Sequence, residues 1–145
     1  MLSIRQRLAR DEGFTLIELL VVLIIIGVLL SIAIPSYLGF QKKAQQTAAM
    51  SDVRSAIPDA EAYYSDNNSY TGMTASGLKS TYDSGMVISA SGSTGVVSAI
   101  PGSTNAQAFC ISAVSGGHWA HVQGPGGQVT NDTASTSDPC AGFTG

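Results

Sequence analysis

Gly13-Phe14-Thr15-Leu16-Ile17-Glu18 opens the stretch that decides how this chain is built. From Phe14 to Ile34 the side chains are apolar or small, and Glu18 carries the only charge. A helix of about 20 residues rises roughly 30 Å, the thickness of a bilayer's hydrocarbon core. The run therefore reads as a membrane-spanning helix. A short leader precedes it, residues 1–13, with Arg5, Arg7 and Arg10, and Pro35 follows it. Positive charge of this kind stays on the cytoplasmic side. The leader resembles the basic flank of a secretory signal, but no small-residue cleavage site follows the apolar run, and a glycine precedes it. The apolar segment is expected to stay in the mature chain.

Glu18 is the odd residue. A charge at the centre of a bilayer costs about 2.5–3.5 kcal/mol on insertion scales, and such groups face a partner. One reading has Glu18 near the interface, snorkelling and favoured by the positive end of the helix dipole. The other supplies a cation. A cut after Gly13 would give Phe14 a free α-amine one helical turn from Glu18. A neighbouring copy shifted along the axis would then offer its amine to this carboxylate, and a buried liability would become an assembly signal.

The chain has 145 residues, one domain's worth beyond the helix, and a net charge of −3. Removing residues 1–13 takes away three arginines against two acids and leaves −4 from side chains. No polybasic surface remains, so strong nucleic-acid binding is not expected. Only 12% of residues are charged, and small polar residues fill the surface, which suits an extracytoplasmic domain. The two cysteines, Cys110 and Cys140, both fall in that part, where an even count favours a disulfide. Closing a loop of about 30 residues stabilises by roughly 3–4 kcal/mol on the chain-entropy model. Two buried free thiols are the alternative; a metal site is weaker, because no CxxC spacing exists.

Within the apolar run, Gly27 lowers helix propensity, and Pro35 removes the hydrogen bond to the Ser31 carbonyl. Membrane helices tolerate such kinks. Residues 36–64 continue as an amphipathic helix. Ala49, Val53, Ala56, Ala60 and Tyr64 recur at spacings of three and four, while Lys42, Lys43, Gln45, Asp52, Arg54, Asp59 and Glu61 mark the other face. Pro58 falls inside this pattern and should bend the helix rather than end it. Residues 65–85 read as a polar loop. Asp66, Asn67 and Asn68 lack calcium-loop spacing and read as a turn. Four short strands follow, Met86–Ala90, Gly95–Ile100, Gln107–Val114 and His118–Val122, with Ser115-Gly116-Gly117 as a hairpin connection. The expected fold is α+β: a long N-terminal helix on a four-stranded antiparallel sheet. The tail, residues 123–145, would be floppy unless Cys140 ties it to Cys110.

The stretch Gly13-Phe14-Thr15-Leu16-Ile17-Glu18-Leu19-Leu20-Val21-Val22 resembles the processing site of type IV prepilins and the related pseudopilins. The resemblance covers roughly residues 1–40, with a short basic leader, a Gly/Phe junction, an acid at one offset and a long apolar run. Asp11 and Glu12 make this leader less purely basic than is usual in the family. The resemblance implies a cleaved leader (1–13), a transmembrane and filament-core helix (14–35) and an extracytoplasmic globular domain (36–145). It implies that a prepilin peptidase cuts between Gly13 and Phe14 and methylates Phe14, and that Glu18 supports subunit docking. It further implies that the helix between Gly27 and Pro35 can melt when subunits pack. A Tyr-Tyr pair followed by Tyr70 fits the pilin layout at the end of the long helix. A disulfide such as Cys110–Cys140 would bound an exposed C-terminal region.

The implied partners are further copies of the chain in a helical homopolymer, the peptidase/methylase, the inner membrane before assembly and, indirectly, an assembly platform and its ATPases. After assembly the protein would sit in an extracellular filament serving motility, adhesion or DNA uptake. A pseudopilin of type II secretion or a minor pilin shares residues 1–40. Major pseudopilins, however, usually carry a calcium-binding loop with clustered acids and no disulfide, and here the tail offers Asp132 and Asp138 with two cysteines. A third class is a membrane-anchored enzyme. No cofactor is called for, no P-loop or GxGxxG occurs, and no catalytic constellation stands out. His118 and His121 are three apart on a strand and would face opposite sides, which argues against a shared metal. Asn67-Asn68-Ser69 and Asn131-Asp132-Thr133 fit the N-glycosylation pattern weakly, and residues 129–139 are rich in Ser and Thr.

Overall fold

The structure, a computed structural model, describes residues 14–89, 94–102, 104–132 and 137–145. The leader with Gly13, and Ala90 and Thr133, on which expectations above depend, lie outside the described residues. The elements are α1 (Leu16–Asn67), α2 (Ala75–Thr81), β1 (Gly95–Pro101), β2 (Phe109–Ser115), β3 (His118–Gly124) and β4 (Thr130–Asp132). Contacts divide the chain between Gly39 and Phe40, and α1 contributes to both units.

In the N-terminal unit α1 is bare: every residue from Phe14 to Gly39 is exposed. Its most apolar 18-residue window has a mean hydropathy of 3.1 with 0% of it buried. In water such a surface is unfavourable, at about 25 cal/mol per Å² of apolar area. It calls for lipid or for other protein.

In the second unit α1 lays the expected stripe on the sheet. Ala49, Val53, Ala56 and Ala60 are each 0% exposed and share a core with Phe109, Ile111, Ala113, Ala120 and Val122. Small alanines at this spacing let the helix sit close. The sheet is an antiparallel meander in the order β1-β2-β3-β4. The β2–β3 hairpin turns on Gly116 and Gly117, both at positive φ (54° and 81°), as a two-residue type I′ connection requires. β2 is buried along its whole length. Alternation puts Phe109, Ile111 and Ala113 toward α1, and Cys110, Ser112 and Val114 on the opposite face.

The structure departs from the expected elements in three places. Met86–Ala90 is not a strand: its described part makes only a parallel bridge, Ile88 to Val96, on the edge of β1. One bridge, with Val96 N–H donating to the Val87 carbonyl (2.8 Å) and Ser89 N–H to the Val96 carbonyl (2.9 Å), satisfies that segment. The fourth strand is instead β4, inside what read as tail. β4 has no apolar alternation because it is a short, solvent-facing edge, where polar residues are the usual choice. Residues 65–85 are not all loop, since they contain α2. Thr74 caps that helix by accepting from Gly77 N–H at 3.1 Å, and Ala75 and Leu78, three apart, are buried.

Tyrosines join the end of α1 to this domain. Tyr64 stacks on Tyr70 (ring centroids 4.9 Å) and Tyr70 on Phe109 (4.7 Å). Tyr63 donates to the Thr71 carbonyl at 2.9 Å, and Tyr82 donates to Asp66 Oδ2 at 2.9 Å.

Candidate functional site

The N-terminal end of α1 is built by Thr15. It precedes the first helical residue, Leu16, and forms a reciprocal pair with Glu18. Thr15 N–H and Oγ1–H donate to Glu18 Oε2 at 3.0 and 2.8 Å, and Glu18 N–H donates to Thr15 Oγ1 at 3.3 Å. This is a capping box, T-x-x-E, which satisfies free backbone donors at the helix start. The pattern is present in the sequence, beside the two readings of Glu18 as a snorkelling interfacial group or a charge that meets a neighbour's amine. Thr15 supplies a partner from the same chain. Phe14, 79% exposed, stands just before the cap. Phe14, Ile17, Glu18, Val21 and Val22 line one shallow concavity, the spacing of a single helix face. The start of α1 therefore presents an exposed aromatic ring, a carboxylate one turn on and an apolar face beneath.

Further along, α1 runs unbroken through Gly27, Pro35 and Pro58. Ser31 Oγ–H donates to the Val28 carbonyl at 2.7 Å. A Cβ built on Gly27 would meet nothing within 4 Å, so no packing in the single chain demands a glycine there.

In the second unit Cys110 of β2 is bonded to Cys140. Both are fully buried. Asp138 reinforces the staple. Its Oδ1 accepts from Ser112 Oγ–H (2.6 Å) and Cys140 N–H (2.9 Å), and its Oδ2 from Ser98 Oγ–H (2.7 Å). The sequence reading counted Asp138 only as an acid of the tail. Its role shows only once β1 and β2 bring Ser98 and Ser112 together. His121 Nδ1 lies 2.8 Å from Asp132 Oδ2 and holds β4 to β3. Asp66 and Asn67 also have local tasks: Asn67 Nδ2–H donates to the Tyr63 carbonyl at 2.9 Å, and Asn68 adopts a positive φ of 52° where α1 stops.

Two acids of α1 fare differently. Asp52 and Asp59, read as solvent-facing, each turn one oxygen away from water with no hydrogen-bond partner. Burial pushes both carboxyls above their ordinary range, and the nearby charge of Asp83 adds to the rise at Asp59.

An N-terminal helix that is apolar and bare at its start, then rests on a stapled four-stranded meander, defines a pilin-like α+β protein. Residues 8–34 match the prokaryotic N-terminal methylation motif. The chain is 45% identical over 74 residues to the type IV wide pilus major component PilA4 of Thermus thermophilus, covering 48% of this chain and 56% of that protein. It is 43% identical over 70 residues to the type II secretion system core protein G of Pectobacterium carotovorum, covering 48% and 44%. It is 35% identical over 100 residues to the fimbrial protein EcpC of Eikenella corrodens, covering 65% of each. The matched part spans about half the length of the first two relatives. No solved structure matches. Over roughly its N-terminal half the chain carries the N-terminal methylation motif and is similar both to type IV pilins and to the type II secretion system core protein G.

Proposed function

We propose that this chain is the structural subunit of a type IV pilus rather than an enzyme. A prepilin peptidase removes residues 1–13 by cutting between Gly13 and Phe14, and Phe14 is N-methylated. The segment 14–35 spans the inner membrane until assembly. The domain 36–145 lies outside the cytoplasm and then on the surface of an extracellular filament. Copies polymerise through α1, with Glu18 setting the register, and the stretch from Gly27 to Pro35 yields as they pack. The energy for extension comes from partner ATPases acting through an assembly platform.

The observation that carries this reading is the uninterrupted exposed apolar face of α1 directly behind a methylation-type junction. A plain anchor needs the apolar length. It does not need a Gly/Phe junction or a carboxylate one turn beyond it. The similarity to core protein G keeps a type II pseudopilin, or a minor pilin, as the second reading. The Cys110–Cys140 staple favours the pilus. The test is Gly13→Leu. On this reading the variant accumulates as an uncleaved membrane precursor and no filament contains it. Efficient maturation of the variant would refute the junction.

A further inference from the structure

The domain half of α1 carries Asp52 and Asp59 on one flank and Lys43 and Arg54, followed by Glu61, on the other, and among the described residues no close ion pair neutralises either flank. At 3.6 residues per turn, Asp52 and Asp59 lie within about 20° of each other around the axis. Lys43 and Arg54 likewise lie within about 20° of each other, on nearly the opposite side. Among the described residues the one close acid–base contact is His121–Asp132, and it involves neither flank. Lys43 and Arg54 are exposed, whereas Asp52 and Asp59 each hold one oxygen shielded from water and unpaired. Exposed Glu61 closes the basic flank at its C-terminal end.

We propose that the Asp52/Asp59 flank of one copy docks on the Lys43/Arg54 flank of a neighbouring copy. The inference rests on the filament reading. In an open helical polymer each contact is heterologous, so two different surfaces of the chain must fit each other. A chain with an acid flank on one side of a helix and a basic flank on the other meets that condition by itself. The acids lie about 10 Å apart along the axis and the bases about 16 Å. Flexible lysine and arginine stems span the difference. Opposite charge across such a contact fixes register and excludes misaligned copies.

The test compares sheared surface filaments and detergent-extracted full-length chain for the same variants. Asp52→Asn with Asp59→Asn should cut filament yield at least five-fold, with processing intact and a melting temperature equal to or above wild type. A merely structural role for these carboxylates would lower melting and yield together. Asp52→Lys with Asp59→Lys should abolish filaments, and adding Lys43→Glu and Arg54→Glu should restore at least half the yield. Wild-type yield from the Asn variant, or a four-fold swap no better than the one-sided reversal, overturns the pairing while the filament reading stands. Absence of the wild-type chain from filaments overturns the filament reading, and the pairing with it.

Discussion

A carboxylate at the start of an exposed apolar helix needs a donor, and Thr15 gives Glu18 two within the same chain. The proposed docking role must compete with that cap. Removing the Thr15 hydroxyl should cost about 1 kcal/mol of helix start and leave the carboxylate free for a neighbour. Thr15→Val is therefore expected to mature normally and to keep most of its filament yield, whereas Glu18→Ala matures normally and loses most of it. Quantifying sheared filaments from both variants checks this. Equal losses would mean that Glu18 acts only as a cap. Thr15-Leu16-Ile17-Glu18 shows how a site can be legible and still be misweighed. The motif for the cap is in the sequence, but a single charge in an apolar run is equally accounted for by an interfacial position or by a neighbour's amine. Asp138 was not legible at all, because its donors Ser98 and Ser112 are far away in sequence and meet only when β1 pairs with β2.

At the scale of elements, the parts with strong periodicity were legible. The stripe Ala49, Val53, Ala56 and Ala60 is the buried stripe of α1, and the Gly116-Gly117 turn joins β2 to β3. The failures fall where local sequence is weak. Met86–Ala90 has strand-forming residues, yet the edge of β1 accepts only a single bridge from it. Thr130–Asp132 has none of the apolar alternation of a strand, yet pairs with β3 because His121 and Asp132 hold the edge together. α2 is short, and its two buried residues, Ala75 and Leu78, are too few to show a period. In α1 the Gly27–Pro35 segment is helical in the single chain, so its proposed melting belongs to the assembled state. Gly27→Ala meets no neighbour and should raise local helix stability by about 1 kcal/mol. Filaments of that variant should stretch less under a given force in an optical trap. Unchanged extensibility would contradict the melting.

For the whole molecule, the sheet is held from two sides, by the α1 stripe on one face and the Cys110–Cys140 staple on the other. Stability should also depend on pH through Asp52 and Asp59. Their folded-state pKa values are raised by burial, so the folded chain takes up these protons before the unfolded chain does. Their contribution is therefore most favourable below the ordinary aspartate value of 3.8 and is lost as pH rises through the higher folded values. Asp52→Asn with Asp59→Asn should melt above wild type at neutral pH, and the gap should close on acidification below that value. Thermal melts of both detergent-solubilised chains across that range check it, and a gap that widens on acidification would contradict it. The central claim is that one chain is cut, exported and polymerised, and a single measurement addresses all three steps. The intact mass and N-terminal residue of the protein should be determined from sheared surface filaments. The expected chain begins at N-methylated Phe14 and is lighter by two hydrogens for the disulfide. A chain still beginning at Met1, or filaments without this protein, would contradict it.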